Sequence, residues 1–222
     1  DVAVEDYRAK GYLKEALVNF VALLGWNPGD TREIFSLTEL INEFTLERVG
    51  KSGAVFNIEK LNWMNEQHIR LKSGTELLSI LKSIIAERTM APIADSYLLE
   101  VINLMKERVT FVKDFIDNCP YFYNDPTTFD EAAVAKHWTP ATTGRLAALR
   151  DRIAVLPTYN AATIEQELRQ EAATQQISAS HIIHPLRMAV SGVSVGPSLF
   201  HLLELLGKDT VVRRINYAIE RL

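Results

Sequence analysis

"HPLRMAVSGVSVGPSLFHLLELLGK", residues 184–208, places two apolar runs of helical spacing on either side of a corner. Pro185 stands just ahead of the first run, and Gly192, Gly196 and Pro197 break the pattern between the two. Glycine and proline are the residues that most strongly punctuate helices. Neither run alternates apolar with polar residues, as a half-buried strand would. The stretch therefore reads helix, corner, helix.

Working outward, nearly every segment repeats that reading. "KEALVNFVALLGWN" (14–27) sets Ala16, Leu17, Phe20, Leu23 and Leu24 on one stripe and ends at Gly25 and a Pro28–Gly29 turn. Ser36 and Glu39 have the spacing of a capping box at the head of "LTELINEF". "NIEKLNWMNEQHIRLKS" (57–73) aligns Leu61, Met64, His68 and Leu71, a spacing at which Trp63 belongs to the core. "GTELLSILKSIIAER" (74–88) follows, and then "SYLLEVINLMKERVTFVKDFI" (96–116), long enough for about five turns. Thr139 and Pro140 look like an N-cap and first helical residue for "ATTGRLAALRDRIAVL" (141–156). The expected fold is all-α, with joints near Ser73–Thr75 and at "CPYFYNDPTTFD" (119–130).

Composition agrees with a globular chain: 222 residues, 47% hydrophobic and 23% charged. Cys119 is the single cysteine, which excludes an intrachain disulfide and points to a buried thiol in a reducing compartment. No run approaches the ~18 apolar residues of a membrane span. A net charge of −4 argues against a broadly basic nucleic-acid surface. Only residues 181–222 carry a positive balance, 5 Lys and Arg against 3 acids.

Catalytic patterns are absent. The sequence holds no Gly-rich phosphate loop, no H-E-x-x-H and no nucleophile elbow. His181 and His184 share a helical spacing but no third ligand completes a metal site. Asp130 and Glu131 suit a helix first turn better than acid–base work. No catalytic residue and no metal ligand is assigned.

Residues 5–70, with "GYLKEALVNFVALLGW", "KSGAVFN" and "LNWMNEQHIR", resemble the segment after the signature lysine loop of bacterial glutamyl-tRNA synthetases. "PLRMAVSG" (185–192) and "GPSLFHLLELLGK" (196–208) resemble the C-terminal helical domain of the same family. The resemblance runs through all 222 residues in one order and lacks the N-terminal nucleotide-binding half. It implies a stem-contact helical domain at 1–72, then a two-part α-helical anticodon-binding cage at 73–125 and 126–222. It also implies a cytoplasmic, monomeric partner of glutamate tRNA, without DNA or membrane contacts. Such a portion carries no cofactor of its own, whereas the full-length ligase uses ATP with magnesium. This chain alone is expected to be inactive in aminoacylation.

The family resemblance also places site residues. Arg108, in "NLMKERVTF", matches the arginine that reads the third anticodon base from a long helix. A guanidinium offers only donors; an unstacked cytosine edge offers a carbonyl and a ring nitrogen as acceptors. Guanine would face donors with donors, at ~1–3 kcal/mol by analogy with other base contacts. Arg187 matches a second anticodon arginine, and Gly196, Pro197 and Leu199 match the bend that packs on the bases, with Leu199 as an apolar floor. Gly196 stands where some members have a hydroxyl residue, and Ser198 where many have glycine, so backbone contacts must serve the middle base. Lys51 and Ser52 suit phosphates of the stem, with Asn65 and Arg70 as further stem contacts. Tyr121, Phe122, Tyr123 and Trp138 suit a joint between cage halves more than a stacking platform. The alternatives are a relaxed synthetase that also charges glutamine tRNA, which Arg108 argues against, and a free-standing helical adaptor.

Overall fold

The computed structural model describes residues 3–50 and 55–222. Among them, thirteen α-helices and three short 3-10 turns account for the regular structure, and no strand forms. The nearest approach to a sheet is a single antiparallel bridge between Trp26 and Val49. By contacts the chain divides into two compact units, residues 1–118 and 119–222. Ser73, expected at a joint, lies inside the first unit.

The first unit holds α1 (Val4–Lys10), α2 (Lys14–Gly25), α3 (Leu37–Glu43), α4 (Ile58–Leu71), α5 (Gly74–Glu87), α6 (Asp95–Met105) and α7 (Asp114–Asp117). Helix α2 packs on α4 and α3, and α5 pairs with α6. The anticipated capping box is present: Glu39 N donates to Ser36 Oγ at 3.2 Å, and Ser36 N donates to Glu39 Oε2 at 2.7 Å. The same device opens α5 through Ser73 and Glu76. The α2 stripe meets Tyr12, Leu61 and Met64 around Phe20.

A buried amide, that of Asn19, ties these elements where an apolar side chain could not. Asn19 Oδ1 accepts from Phe35 N at 2.9 Å and lies 3.0 Å from His68 Nε2, so the neutral imidazole carries its proton on Nε2. Burial pushes the His68 pKa below its ordinary value. Leu71, expected on the buried stripe with His68, is the exposed last residue of α4.

The long helix expected over 96–116 does not form. Helix α6 stops at Met105, a 3-10 turn covers Lys106–Arg108, and Val109 is extended at φ −116°, ψ 141°. The cause is Asp114: its buried carboxylate accepts from Thr110 N at 3.0 Å and Phe111 N at 2.7 Å. Those donors would otherwise continue the helical ladder.

The second unit holds α8 (Glu131–His137), α9 (Thr142–Ala154), α10 (Ala161–Thr174), α11 (Ser180–Ser191), α12 (Leu199–Leu206) and α13 (Lys208–Arg221). Helix α13 packs on α9 and α11, α10 on α12 and α9, and α8 on α11. Helix α9 starts later than Thr139 and Pro140 suggested. Those residues form a preceding turn in which Thr139 N donates to Thr142 Oγ1 at 2.9 Å. Pro185 falls inside α11 rather than ahead of it, because bonds from His181, Ile182 and Ile183 to Ser178 and Ala179 begin the helix upstream. Arg214, 4% exposed, donates to the carbonyls of Tyr121 (2.9 Å), Val190 (2.6 Å) and Asn124 (2.9 Å) and to Asp125 Oδ1 (2.8 Å). One side chain thus fastens the 120–125 segment and the end of α11 to α13.

Candidate functional site

In the second unit, the corner after α11 gathers three of the four residues the sequence assigned to it. Gly192 ends α11 in the left-handed region at φ +76°, and a Cβ there would lie 2.6 Å from the Thr128 carbonyl oxygen. Only glycine satisfies both demands. Five residues after Gly192, the Pro197 carbonyl accepts from Arg187 Nη2 at 2.9 Å. A Cβ on Gly196 would stand 3.0 Å from Arg187 Nη1 and 3.5 Å from the Tyr121 hydroxyl oxygen. Gly196 is not at positive φ. Its missing side chain makes room for the guanidinium, rather than for a strained turn.

Arg187 and Gly196 are half-buried, whereas Pro197 and Leu199 are buried. Leu199 is 4% exposed, the first member of the α12 stripe completed by Leu202, Leu203 and Leu206. Burying that stripe against the unit's interior stabilises the fold by roughly 1.5–3 kcal/mol per leucine. The apolar floor expected of Leu199 is therefore turned inward. Ser198 caps the surface above it, with Oγ 2.9 Å from His201 Nδ1.

In the first unit, Arg108 closes the 3-10 turn after α6 and is exposed. Among the described residues no hydrogen bond or ion pair engages its guanidinium. Its neighbour Glu107 takes the charge compensation instead: Arg70 Nη2 donates to the Glu107 carbonyl at 3.2 Å, and Arg70 Nε lies 3.0 Å from Glu107 Oε2. That Nε–H has no acceptor in line, so the second contact is one of charge, not an aligned hydrogen bond. With the Gln67 amide oxygen turned toward them, Arg70 Nη1 and Trp63 Nε1 donate to it at 2.9 and 3.2 Å. Arg70 is thus a brace for the turn that presents Arg108.

Asn65 is a correction. It is 0% exposed; its Oδ1 accepts from Leu13 N at 2.8 Å and its Nδ2 donates to the Thr110 carbonyl. Both ends of the amide hold the interior of the first unit, so it contacts no external ligand. Trp63, expected in the core, is 39% exposed. Its place beside Arg70 and Gln67 explains why: the indole N–H needs a polar partner, which the surface side of α4 supplies. Lys51 and Ser52 lie outside the described residues.

Tyr121 and Phe122 are buried and Trp138 is half-buried, consistent with packing roles. Sequence reading passed over one arrangement. His137, the last residue of α8, stacks on His184 of α11 with ring centroids 4.4 Å apart and planes 21° apart. The two lie 47 positions apart along the chain, and no local spacing announces such a pair. Among the described residues no group of three His, Cys, Asp or Glu side chains could hold a metal ion. No helix of the described residues is long and apolar enough to cross a membrane.

Residues 75–219 match the family model for the anticodon binding domain, and residues 1–63 match that for the catalytic domain of class I tRNA synthetases (E and Q). Glutamate–tRNA ligase of Chloroherpeton thalassium is 48% identical over 100% of this chain and 46% of its own length. The ligase of Chlorobium phaeobacteroides is 47% identical over 99% of this chain and 46% of its own. A crystal structure of a glutamate tRNA ligase from Elizabethkingia meningosepticum superposes with a TM-score of 0.92 at 39% identity, covering 97% of this chain and 43% of that one. The chain spans about half the length of the curated relatives it matches.

Proposed function

The chain belongs to the anticodon-binding domain family, and from that premise we propose that it is the tRNA-binding portion of a glutamate–tRNA ligase. The observation that carries this is 48% identity to such a ligase along 100% of the chain. In this reading a longer protein activates glutamate with ATP and magnesium in the cytoplasm, as a monomer. The present residues hold the tRNA and verify its anticodon.

Arg108 would discriminate the third anticodon base. Its exposure leaves five N–H donors for an unstacked base, and the brace from Arg70 fixes the turn on which it sits. Cytosine accepts from a guanidinium, while guanine presents its own donors. Arg187 would contact the anticodon with its orientation set by the Pro197 carbonyl and by the room Gly196 leaves. Pre-set geometry of this kind lowers the ordering cost of binding. Arg70 would act through that brace rather than by contacting the stem.

The test is a gel shift of this chain with glutamate tRNA, repeated with the anticodon scrambled. Binding that falls about tenfold or more on scrambling is expected, since the loss of even one base contact at ~1–3 kcal/mol approaches that. Equal binding of both RNAs overturns the reading. In the longer protein, Arg108→Gln should narrow the preference for glutamate over glutamine tRNA while leaving urea unfolding unchanged. An unaltered charging ratio rejects the role given to Arg108.

A further inference from the structure

The stacked imidazoles of His137 and His184 have no part in the reading above, yet they sit beside a residue that does. His184 is exposed and lies one helical turn before Arg187 on α11. His137 is presented by α8, which packs on α11, and Lys136 precedes it. The charged and titratable groups acting on His184 are His137 and Lys136 from α8 and Arg187 from its own helix. Helices α9, α10, α12 and α13 supply no carboxylate among them. A partly desolvated imidazole among cations resists taking a proton, and its pKa is accordingly pushed below the ordinary value, by desolvation first and by these three neighbours after it.

That environment changes sign when an anion arrives. We propose that the His137–His184 stack, with Lys136 and Arg187 beside it, is a proton-linked contact for an RNA backbone phosphate. The proposal rests on the RNA-binding reading and adds a residue pair and a pH response to it. In the chain by itself, rings stacked 4.4 Å apart would set two positive charges in direct repulsion. A phosphate placed against the cluster supplies the missing negative charge, and His184 takes up a proton from solvent as the complex forms. The imidazolium then donates to a phosphate oxygen as a charge-assisted hydrogen bond. Phosphate diesters stay anionic throughout, so the titration belongs to the protein.

Linkage fixes the sign. A group that binds its proton more tightly in the complex makes affinity rise as pH falls, from the pKa in the complex down to that of the chain alone. One proton contributes at most about tenfold per pH unit. The experiment measures the Kd of the full 222-residue chain for the anticodon stem-loop of glutamate tRNA by fluorescence anisotropy, between about pH 8 and about pH 5.5. Affinity should tighten by about three- to tenfold, and His184→Gln, a substitution at an exposed position, should flatten the profile. The His184 ring resonance should titrate at higher pH with RNA bound than without. Identical Kd values across the range, or tightening that persists in His184→Gln, overturn this inference alone. Absence of RNA binding at every pH overturns it together with the function on which it rests.

Discussion

Arg214 ties several segments of the second unit together. Its guanidinium is buried under three backbone carbonyls and one carboxylate. Arg214→Met would keep the stem's volume and strand those acceptors. The expected loss is about 3–5 kcal/mol of stability in urea unfolding. Asp125, shared by Arg213 and Arg214, has its pKa lowered to about 2, first by the hydrogen bond from Arg213. A carboxylate with a depressed folded pKa stabilises above its unfolded value and loses that contribution as pH falls toward its folded one. The urea midpoint should therefore drop between about pH 4 and about pH 2, and drop less in Asp125→Asn. The glycines of the corner divide by cause. Gly192→Ala meets both a left-handed backbone and the Thr128 carbonyl, and should cost at least ~2 kcal/mol in thermal unfolding. Gly196→Ala crowds the far end of the Arg187 side chain at 3.0 Å and meets the Tyr121 hydroxyl at ordinary contact distance, 3.5 Å. It should leave the melting temperature nearly unchanged while weakening RNA binding. Sequence singled out Gly196 for a base contact, but a base contact and a close guanidinium leave the same letter in a chain.

Among the elements, the break after α6 carries the most consequence. Apolar periodicity continues from Tyr97 through Ile116, so the sequence reads as one helix. The competing term is the buried carboxylate of Asp114, four residues after Thr110, which captures two backbone donors. Arg108 consequently stands on a turn and not on a helix face. Asp114→Ala removes that acceptor and should destabilise the chain by about 1–3 kcal/mol. It should also weaken anticodon discrimination, because the turn presenting Arg108 loses its end point; urea unfolding and the gel shift read the two effects separately. Helices with strong local signals were legible: the Ser36–Glu39 box and the α2 stripe stand where spacing placed them. Starts governed by proline were not. Both Pro140 and Pro185 can sit at more than one place relative to a helix start, and the neighbouring hydroxyl and carbonyl groups decided which.

At the scale of the whole chain, each unit closes its own interior. Residues 119–222 hold Leu146, Leu149, Leu168, Leu186, Leu202 and Ile215 fully buried together with the Arg214 fastening. Cut after Asn118, that piece should keep its helical circular dichroism and unfold cooperatively in urea; a non-cooperative trace would show that its core is incomplete. The sequence by itself determined the all-α class, the helix-rich order and the family, because these follow from apolar period, caps and long motif matches that survive without knowledge of distant neighbours. What only the tertiary structure decided is which polar residues face inward and which outward. Asn65 and Arg70 lie five positions apart on one helix, yet one is sealed between Leu13 and Thr110 and the other braces Glu107 at the surface. His137 and His184 meet only because α8 packs on α11. Burial of a polar group is settled by whether a partner arrives from elsewhere in the chain, and that partner's position is not written near the residue itself.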